Sequence, residues 1–272
     1  MTSAVPPELR ARFEVVEALS VAPRAAVFRA VERTTGHVCG LKFYPAEASP
    51  GKDELHAAVE RSQAIRSPSL VAYREVIAYA GGAALVWGYR PGRNLEQAGP
   101  AESAGRLTAC ARELLEALEA LHQAGWCHGD VSPANVLLED ALDPPAGGVT
   151  GHAVLLDWLP LPWQTRGRLF GTIHTLAPER LEGAPPSPAG DLYGLGASLY
   201  YALAGRHAFT GESEAEIAAR HLSGDYEPLA SAVPARPREA APGLAALVER
   251  CLARRAEDRP ASAREAIAFL AK

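Results

Sequence analysis

The run His128-Gly129-Asp130-Val131-Ser132-Pro133-Ala134-Asn135 sets a carboxylate and a carboxamide five residues apart on one short segment. A second carboxylate, Asp157, closes the apolar run Ala153-Val154-Leu155-Leu156. Transfer of a phosphoryl group needs a carboxylate that orients the attacking hydroxyl and takes its proton. It also needs oxygen ligands for a divalent cation that bridges phosphates. Asp130 has the chemistry of the base, Asn135 that of a neutral metal ligand and Asp157 that of an anionic one. An aspartate that opens a turn and an asparagine that closes it are also ordinary loop chemistry. On these residues alone both readings stand.

Such residues need elements to hold them. From Ser103 to Gln123 apolar residues recur at Leu107, Ala111, Leu114, Leu118 and Leu121, which predicts a helix with one buried stripe ending just before His128. Val136–Leu138 and Ala153–Leu156 predict short strands on either side of a Pro/Gly-rich surface loop, Asp143–Gly151. Upstream, strands are expected over Phe13–Val16, Ala26–Val31, His37–Tyr44, Leu70–Ala80 and Ala83–Tyr89, with one helix over Lys52–Arg66. Pro91-Gly92 breaks the pattern. Downstream, helices are expected over Asp191–Ala204, Ser213–Leu222, Leu244–Ala253 and Ser262–Leu270. The pattern is α+β: a small β-rich part, residues 1–90, and a larger, mostly helical part, residues 91–272.

Composition narrows the classes. The 272 residues are 48% hydrophobic and 22% charged, the balance of a folded soluble chain rather than a disordered one. A net charge of −5 argues against a nucleic-acid-binding surface over the whole domain. No uncharged stretch is longer than Leu192–Gly205, which is too short to span a bilayer, and the first ten residues carry no secretory leader pattern. Four cysteines with no C-x-x-C pair suit reduced thiols, so a cytoplasmic protein without membrane partners is expected. Only three lysines occur, and one of them, Lys42, lies inside a strand pattern. In an Arg-rich chain, a strand lysine suits a task that needs a compact ammonium.

Taken in order, the motifs resemble those of eukaryotic-type protein kinases over nearly the full length. His128-Gly129-Asp130 through Asn135 is similar to the catalytic loop, and Asp157-Trp158-Leu159 stands where D-F-G stands. Phe170-Gly171-Thr172 and Ala177-Pro178-Glu179 resemble the substrate-side segment. Asp191–Gly196 resembles the central helix, and Asp258-Arg259-Pro260 the closing region. The resemblance implies a protein-kinase-like two-lobed fold that uses ATP with Mg2+ or Mn2+ to phosphorylate serine or threonine in a protein substrate. It implies phosphate binding by Lys42 and an adenine sandwich of Val27, Gly40 and Leu137. The hinge would be Gly88-Tyr89-Arg90, and Trp87 would close the pocket behind the base. Asp130 would be catalytic with Asn135, while Asn135 and Asp157 would hold metal. Asp191 would bind the catalytic-loop backbone, and Arg259 would pair with Glu179.

Several positions depart from the family pattern. The loop expected to be glycine-rich reads Ser20-Val21-Ala22-Pro23-Arg24-Ala25, without the glycines that let backbone approach phosphates. Gly129 replaces the catalytic-loop arginine, Ser132 the lysine that steadies the γ-phosphate, and Leu159 the D-F-G glycine. The helix glutamate expected opposite Lys42 falls at Ala58, between Glu54 and Glu60. With Gly129 offering no charge to receive a loop phosphate, activity is expected not to depend on phosphorylation of Thr165. The loop would instead be ordered by Leu159, Leu161, Trp163 and Phe170. Two further readings stay open: a pseudokinase acting as a regulatory protein-binding module, and a small-molecule phosphotransferase. Against the latter stand Gly171-Thr172, Ala177-Pro178-Glu179 and Arg259, which suit a peptide platform.

Overall fold

Alternation of buried and half-buried residues, strict over Ala25–Glu32, helps to build a sheet in the first ninety positions with its apolar core on one face. The computed structural model describes residues 5–22, 25–45, 51–101, 103–139, 152–159, 172–233 and 241–271. Within residues 5–65 and 71–90, one compact unit, β1 (Phe13–Ala22), β2 (Ala25–Glu32), β3 (Val38–Pro45), β4 (Tyr73–Tyr79) and β5 (Gly82–Gly88) form an antiparallel sheet of order β1-β2-β3-β5-β4. One face of β2 and β3 carries Phe28 and Phe43, stacked at 5.3 Å, into a core with Leu9, Phe13, Leu41 and Val86. Register places Val27 opposite Lys42, Lys42 opposite Leu85, and Gly40 opposite Trp87. Period-two alternation therefore puts Val27, Gly40, Lys42 and Trp87 together on the other face.

Three features of this unit differ from the sequence expectation. A helix, α1 (Pro7–Arg12), precedes the sheet and buries Leu9, with Pro7 suited to its first turn. Arg12 then bridges Glu32 and Glu75. Strand β1 runs ten residues instead of four and pairs to its end, Ala22 opposite Ala25, with Pro23 and Arg24 outside the described residues. Helix α2 (Lys52–Ser62) stops short of Arg66, where the Ser62 hydroxyl donates to the Val59 carbonyl at 2.6 Å and competes with the helix pattern.

The second unit comprises residues 66–70 and the described residues from 91 onward. A three-stranded sheet joins β6 (Gly92–Asn94), β7 (Val136–Glu139) and β8 (Ala153–Leu155). Gly92 thus opens a strand where the sequence suggested only a break. Leu70 makes an isolated parallel bridge to Leu155, so this segment belongs here and not to β4. After α3 (Leu95–Ala98), helix α4 (Ala104–Gln123) buries the expected stripe and starts at Ser103, whose Oγ accepts from the Arg106 amide. Then follow α5 (Pro178–Leu181), α6 (Pro188–Ala204), α7 (Glu214–Ser223), α8 (Leu229–Ala232), α9 (Pro242–Cys251) and α10 (Ala263–Ile267). Helix α6 is buried nearly all round, as its apolar sequence demands. The expected Ser262–Leu270 helix is α10 followed by a 3₁₀ turn, Ala268–Ala271. The Asp143–Gly151 excursion lies outside the described residues, as do Leu161, Trp163, Thr165, Phe170 and Gly171.

Candidate active site

The segment from His128 to Asn135 is held by its backbone. Asp191, in the first turn of α6 and 2% exposed, accepts from the amides of His128 and Gly129, each at 2.8 Å. His122, in the last turn of α4, adds a third contact, Nε2 to Oδ2 at 2.8 Å. A carboxylate near a helix N-terminus is also favoured by the helix dipole. Buried His128 donates from Nε2 to the Leu156 carbonyl, 2.9 Å, which leaves Nδ1 to accept from the Asp130 amide at 3.3 Å. Two hydrogen bonds thereby fix one tautomer. Gly129 adopts φ +77°, a left-handed geometry that costs glycine little and any side chain more.

Asp130 sits at the centre of this frame. Its Oδ1 accepts from the Thr172 amide at 3.0 Å, and its Oδ2 from Asn135 Nδ2 at 3.2 Å. The same Nδ2 donates to the Asp130 carbonyl at 2.9 Å, which fixes the amide and turns Oδ1 of Asn135 away. Burial drives the Asp130 pKa above its ordinary value, against the hydrogen bonds from the Thr172 amide and Asn135, and the charge of Asp157 adds to the rise. A carboxylate so placed is more basic than a solvated one.

Asp157 has φ +55°, the one non-glycine residue with positive φ among the described residues. Asp tolerates this region better than most residues, and such strain clusters at functional sites. The residues after it are buried. Trp158 packs at 5.9 Å from Trp126, and Leu159 is 1% exposed. Hard oxygen donors on Asn135 and Asp157 suit Mg2+ rather than a soft metal. Ser132 is fully buried, and its Oγ has no hydrogen-bond partner among the described residues. Glu179 and Arg259 are joined through Nη1–Oε1 at 2.7 Å and Nη2–Oε2 at 2.8 Å. Leu137 lies in β7, 7% exposed.

In the sheet unit, Lys42 is half-buried on β3, with Nζ 5.2 Å from the Tyr44 ring centre. Val27, Gly40 and Trp87 share its face, and the Tyr89 ring lies 5.7 Å from the Arg29 guanidinium. Arg90 follows β5 and is half-buried. On α2, Glu54 and Glu60 are exposed and Ala58 half-buried; the stripe turned inward is Leu55, Val59 and Ser62. Sequence reasoning missed His122, whose one local signal was a histidine in the last turn of a helix.

The chain matches the model of the protein kinase domain over residues 23–269, and it belongs to that family. It is similar to the serine/threonine-protein kinase PknK of Mycobacterium tuberculosis, 31% identical over 95% of this chain and 23% of that one. It is also similar to the serine/threonine-protein kinase PkaA of Streptomyces coelicolor, 33% identical over 86% of this chain and 42% of that one. The chain therefore spans less than half the length of these relatives. Among solved structures, Rad53 residues 1–466 in complex with AMP-PNP shares the fold, with a TM-score of 0.75 at 22% identity over 95% of this chain and 65% of that one.

Proposed function

We propose that this chain is an ATP-dependent catalytic domain that phosphorylates serine or threonine in protein substrates. The observation that carries the reading is Asp130, a half-buried carboxylate gripped by the Thr172 amide and Asn135. In this role Asp130 takes the proton of the attacking hydroxyl, and Thr172 and Asn135 keep its carboxylate in place. Lys42 holds the α- and β-phosphates. Val27, Gly40 and Leu137 pack on the adenine, with the backbone of Tyr89 and Arg90 reading its edge. Asn135 and Asp157 hold Mg2+ or Mn2+; when bound, the ion neutralises charge developing on the phosphates. The relatives named as serine/threonine kinases and the AMP-PNP held by the Rad53 structure support the assignment. We read residues 1–90 and 91–272 as the nucleotide-binding and the catalytic and substrate lobes. No helix among the described residues is long and apolar enough to cross a membrane, and a cytoplasmic location fits the cysteine usage.

Ser132 favours a second reading, a pseudokinase that binds a partner without transfer. The lysine charge is absent there, and the serine hydroxyl is buried. One experiment separates the two: γ-labelled ATP with Mg2+ or Mn2+ and generic protein acceptors, beside a thermal-shift titration with nucleotide. Transfer lost in Asp130→Asn supports the first reading. Nucleotide binding without any transfer supports the second.

A further inference from the structure

Behind the catalytic segment three side chains of different chemistry converge. One ligand atom from each of His122, Cys127 and Asp191 lies within 4.8 Å of the other two. His122 is in the last turn of α4, Cys127 directly precedes His128, and Asp191 is in the first turn of α6. Imidazole nitrogen, thiolate sulfur and carboxylate oxygen are the donors zinc takes, whereas magnesium takes oxygen. In a tetrahedral zinc site such donors stand about 3.4–3.6 Å apart, so an approach of about 1.2 Å or less closes the set.

The hydrogen bonds of Asp191 show where the ion would sit. Oδ1 accepts from the Gly129 amide and Oδ2 from the His128 amide, each at 2.8 Å. The other lone pair of Oδ2 meets His122 Nε2 at 2.8 Å, so a single proton separates two atoms that can both ligate zinc. An ion that replaces this proton leaves both backbone amides bonded. The charge balances as well: Zn2+, one thiolate, one carboxylate and a neutral imidazole sum to zero, which suits a place where Asp191 is 2% exposed. Burial first, and the charge of Asp191 second, hold the Cys127 thiol up at about 12, so without an ion the sulfur stays protonated. Cys39, Cys110 and Cys251 are buried, whereas Cys127 is only half-buried and gives an ion a way in.

We infer that His122, Cys127 and Asp191 bind one zinc ion, with water as the fourth ligand. On binding, the Zn–S bond forms as the thiol S–H bond breaks and its proton leaves to solvent. The His122 proton passes from Nε2 to Nδ1, and no electrons change hands. The site shares no residue with Asn135 and Asp157, the pair assigned to Mg2+ or Mn2+. Because Asp191 carries the amides of His128 and Gly129, the ion braces the segment that presents Asp130.

The test is a titration of the untagged, metal-free full chain with Co2+, whose thiolate and d–d absorption bands report a tetrahedral site. One equivalent is expected to bind, to be displaced by Zn2+ and to be unaffected by excess Mg2+. Zn2+ should also raise the melting temperature. Cys127→Ala should lose the cobalt–thiolate band and the zinc-induced shift, yet melt like the wild type without metal. Cys127→Ser keeps the side-chain shape and serves if the alanine variant does not fold. Cys110→Ala should retain both signals. His122→Gln, whose amide can still donate to Asp191, should lose one-to-one binding. No cobalt–thiolate band, a band that survives in Cys127→Ala or Cys127→Ser, or displacement of Co2+ by Mg2+ would each overturn the proposal.

Discussion

Arg259 and Glu179 lie 80 positions apart in sequence and meet in a two-point ion pair, 2.7 and 2.8 Å. The Arg259 side chain is fully buried, and its remaining donors go to the carbonyls of Ala253, Ala189 and Arg254. All five guanidinium N–H groups are thereby satisfied, a geometry lysine could not reproduce. The guanidinium also lies 4.8 Å from the Tyr193 ring centre. The pair ties α5 to the segment after α9 and fixes the stretch that runs on from Thr172. Removing Arg259 leaves Glu179 and three carbonyls without their donor. Arg259→Ala should cost about 3–5 kcal/mol in denaturant unfolding. A loss below 1 kcal/mol would show that water replaces the guanidinium freely.

Asp130 offers the opposite trade. Its pKa is raised in the fold, chiefly by burial, so the folded state binds its proton more tightly than the unfolded chain does. Its contribution to stability is therefore full at low pH and falls as pH rises through the folded value. Asp130→Asn removes that cost, and the new amide still offers an oxygen to the Thr172 N–H. The variant should melt at or above the wild-type temperature at pH 7 while phosphoryl transfer disappears. Retained transfer would remove Asp130 from the role of base.

Asp157 is held at φ +55°. Asparagine tolerates this geometry, whereas alanine adds backbone strain to the lost carboxylate. Asp157→Asn should fold normally and lose Mg-dependent nucleotide affinity. Asp157→Ala should lose that affinity and also melt lower. Calorimetry with Mg-ATP reads the first effect and thermal unfolding the second. Unchanged Mg-ATP affinity in both variants would mean that Asp157 holds no metal.

What the sequence disclosed follows the range of the interactions. The Asp130–Asn135 spacing is local, and one 3₁₀ turn, Pro133–Asn135, turns it directly into contact. Helix α4 was legible from its periodic stripe and α6 from its continuous apolar run, although the first turn of α6, Pro188–Gly190, lies outside the expected span. His122 was not, because its bond to Asp191 crosses 69 positions. Strand β6 escaped because three residues opening on glycine carry no alternation, and only pairing with β7 defines it. The φ of Asp157 leaves no trace in composition at all.

Two histidines give the helical unit a pH dependence. His221 is fully buried, stacked 3.9 Å from Phe209, and its Nδ1 meets the Tyr193 hydroxyl at 2.6 Å. His207 stacks on His174 at 4.0 Å. Burial first, and His174 second, hold both His207 and His221 down at about 4. Between about 4 and the ordinary value of 6.5 the unfolded chain binds protons that the fold excludes, so stability rises with pH across that window. Melting temperature should fall as pH is lowered from 6.5 towards 4. His221→Gln, which keeps an acceptor for Tyr193, should flatten the curve. An equally steep curve in that variant would assign the dependence to other groups.

The sheet unit carries a matched pair of its own. A Cβ built on Gly40 would lie 2.2 Å from Cε2 of Trp87, so the indole fills the space that any side chain at position 40 would need. Trp87 is itself packed edge-on to Tyr73, with ring centres 6.3 Å apart, and cannot simply swing aside. Gly40→Ala should therefore cost about 1–3 kcal/mol through overpacking and shift the tryptophan emission of the folded state. Trp87→Leu removes the obstacle, and adding Gly40→Ala to it should cost almost nothing. The difference between those two costs is the coupling energy, and residues in contact typically show about 0.5–3 kcal/mol of it. Because Gly40 and Trp87 share the face of Lys42, the same variants should alter the nucleotide-induced thermal shift. If Gly40→Ala costs the same in both backgrounds, the indole does not constrain position 40, and the glycine there answers to some other neighbour.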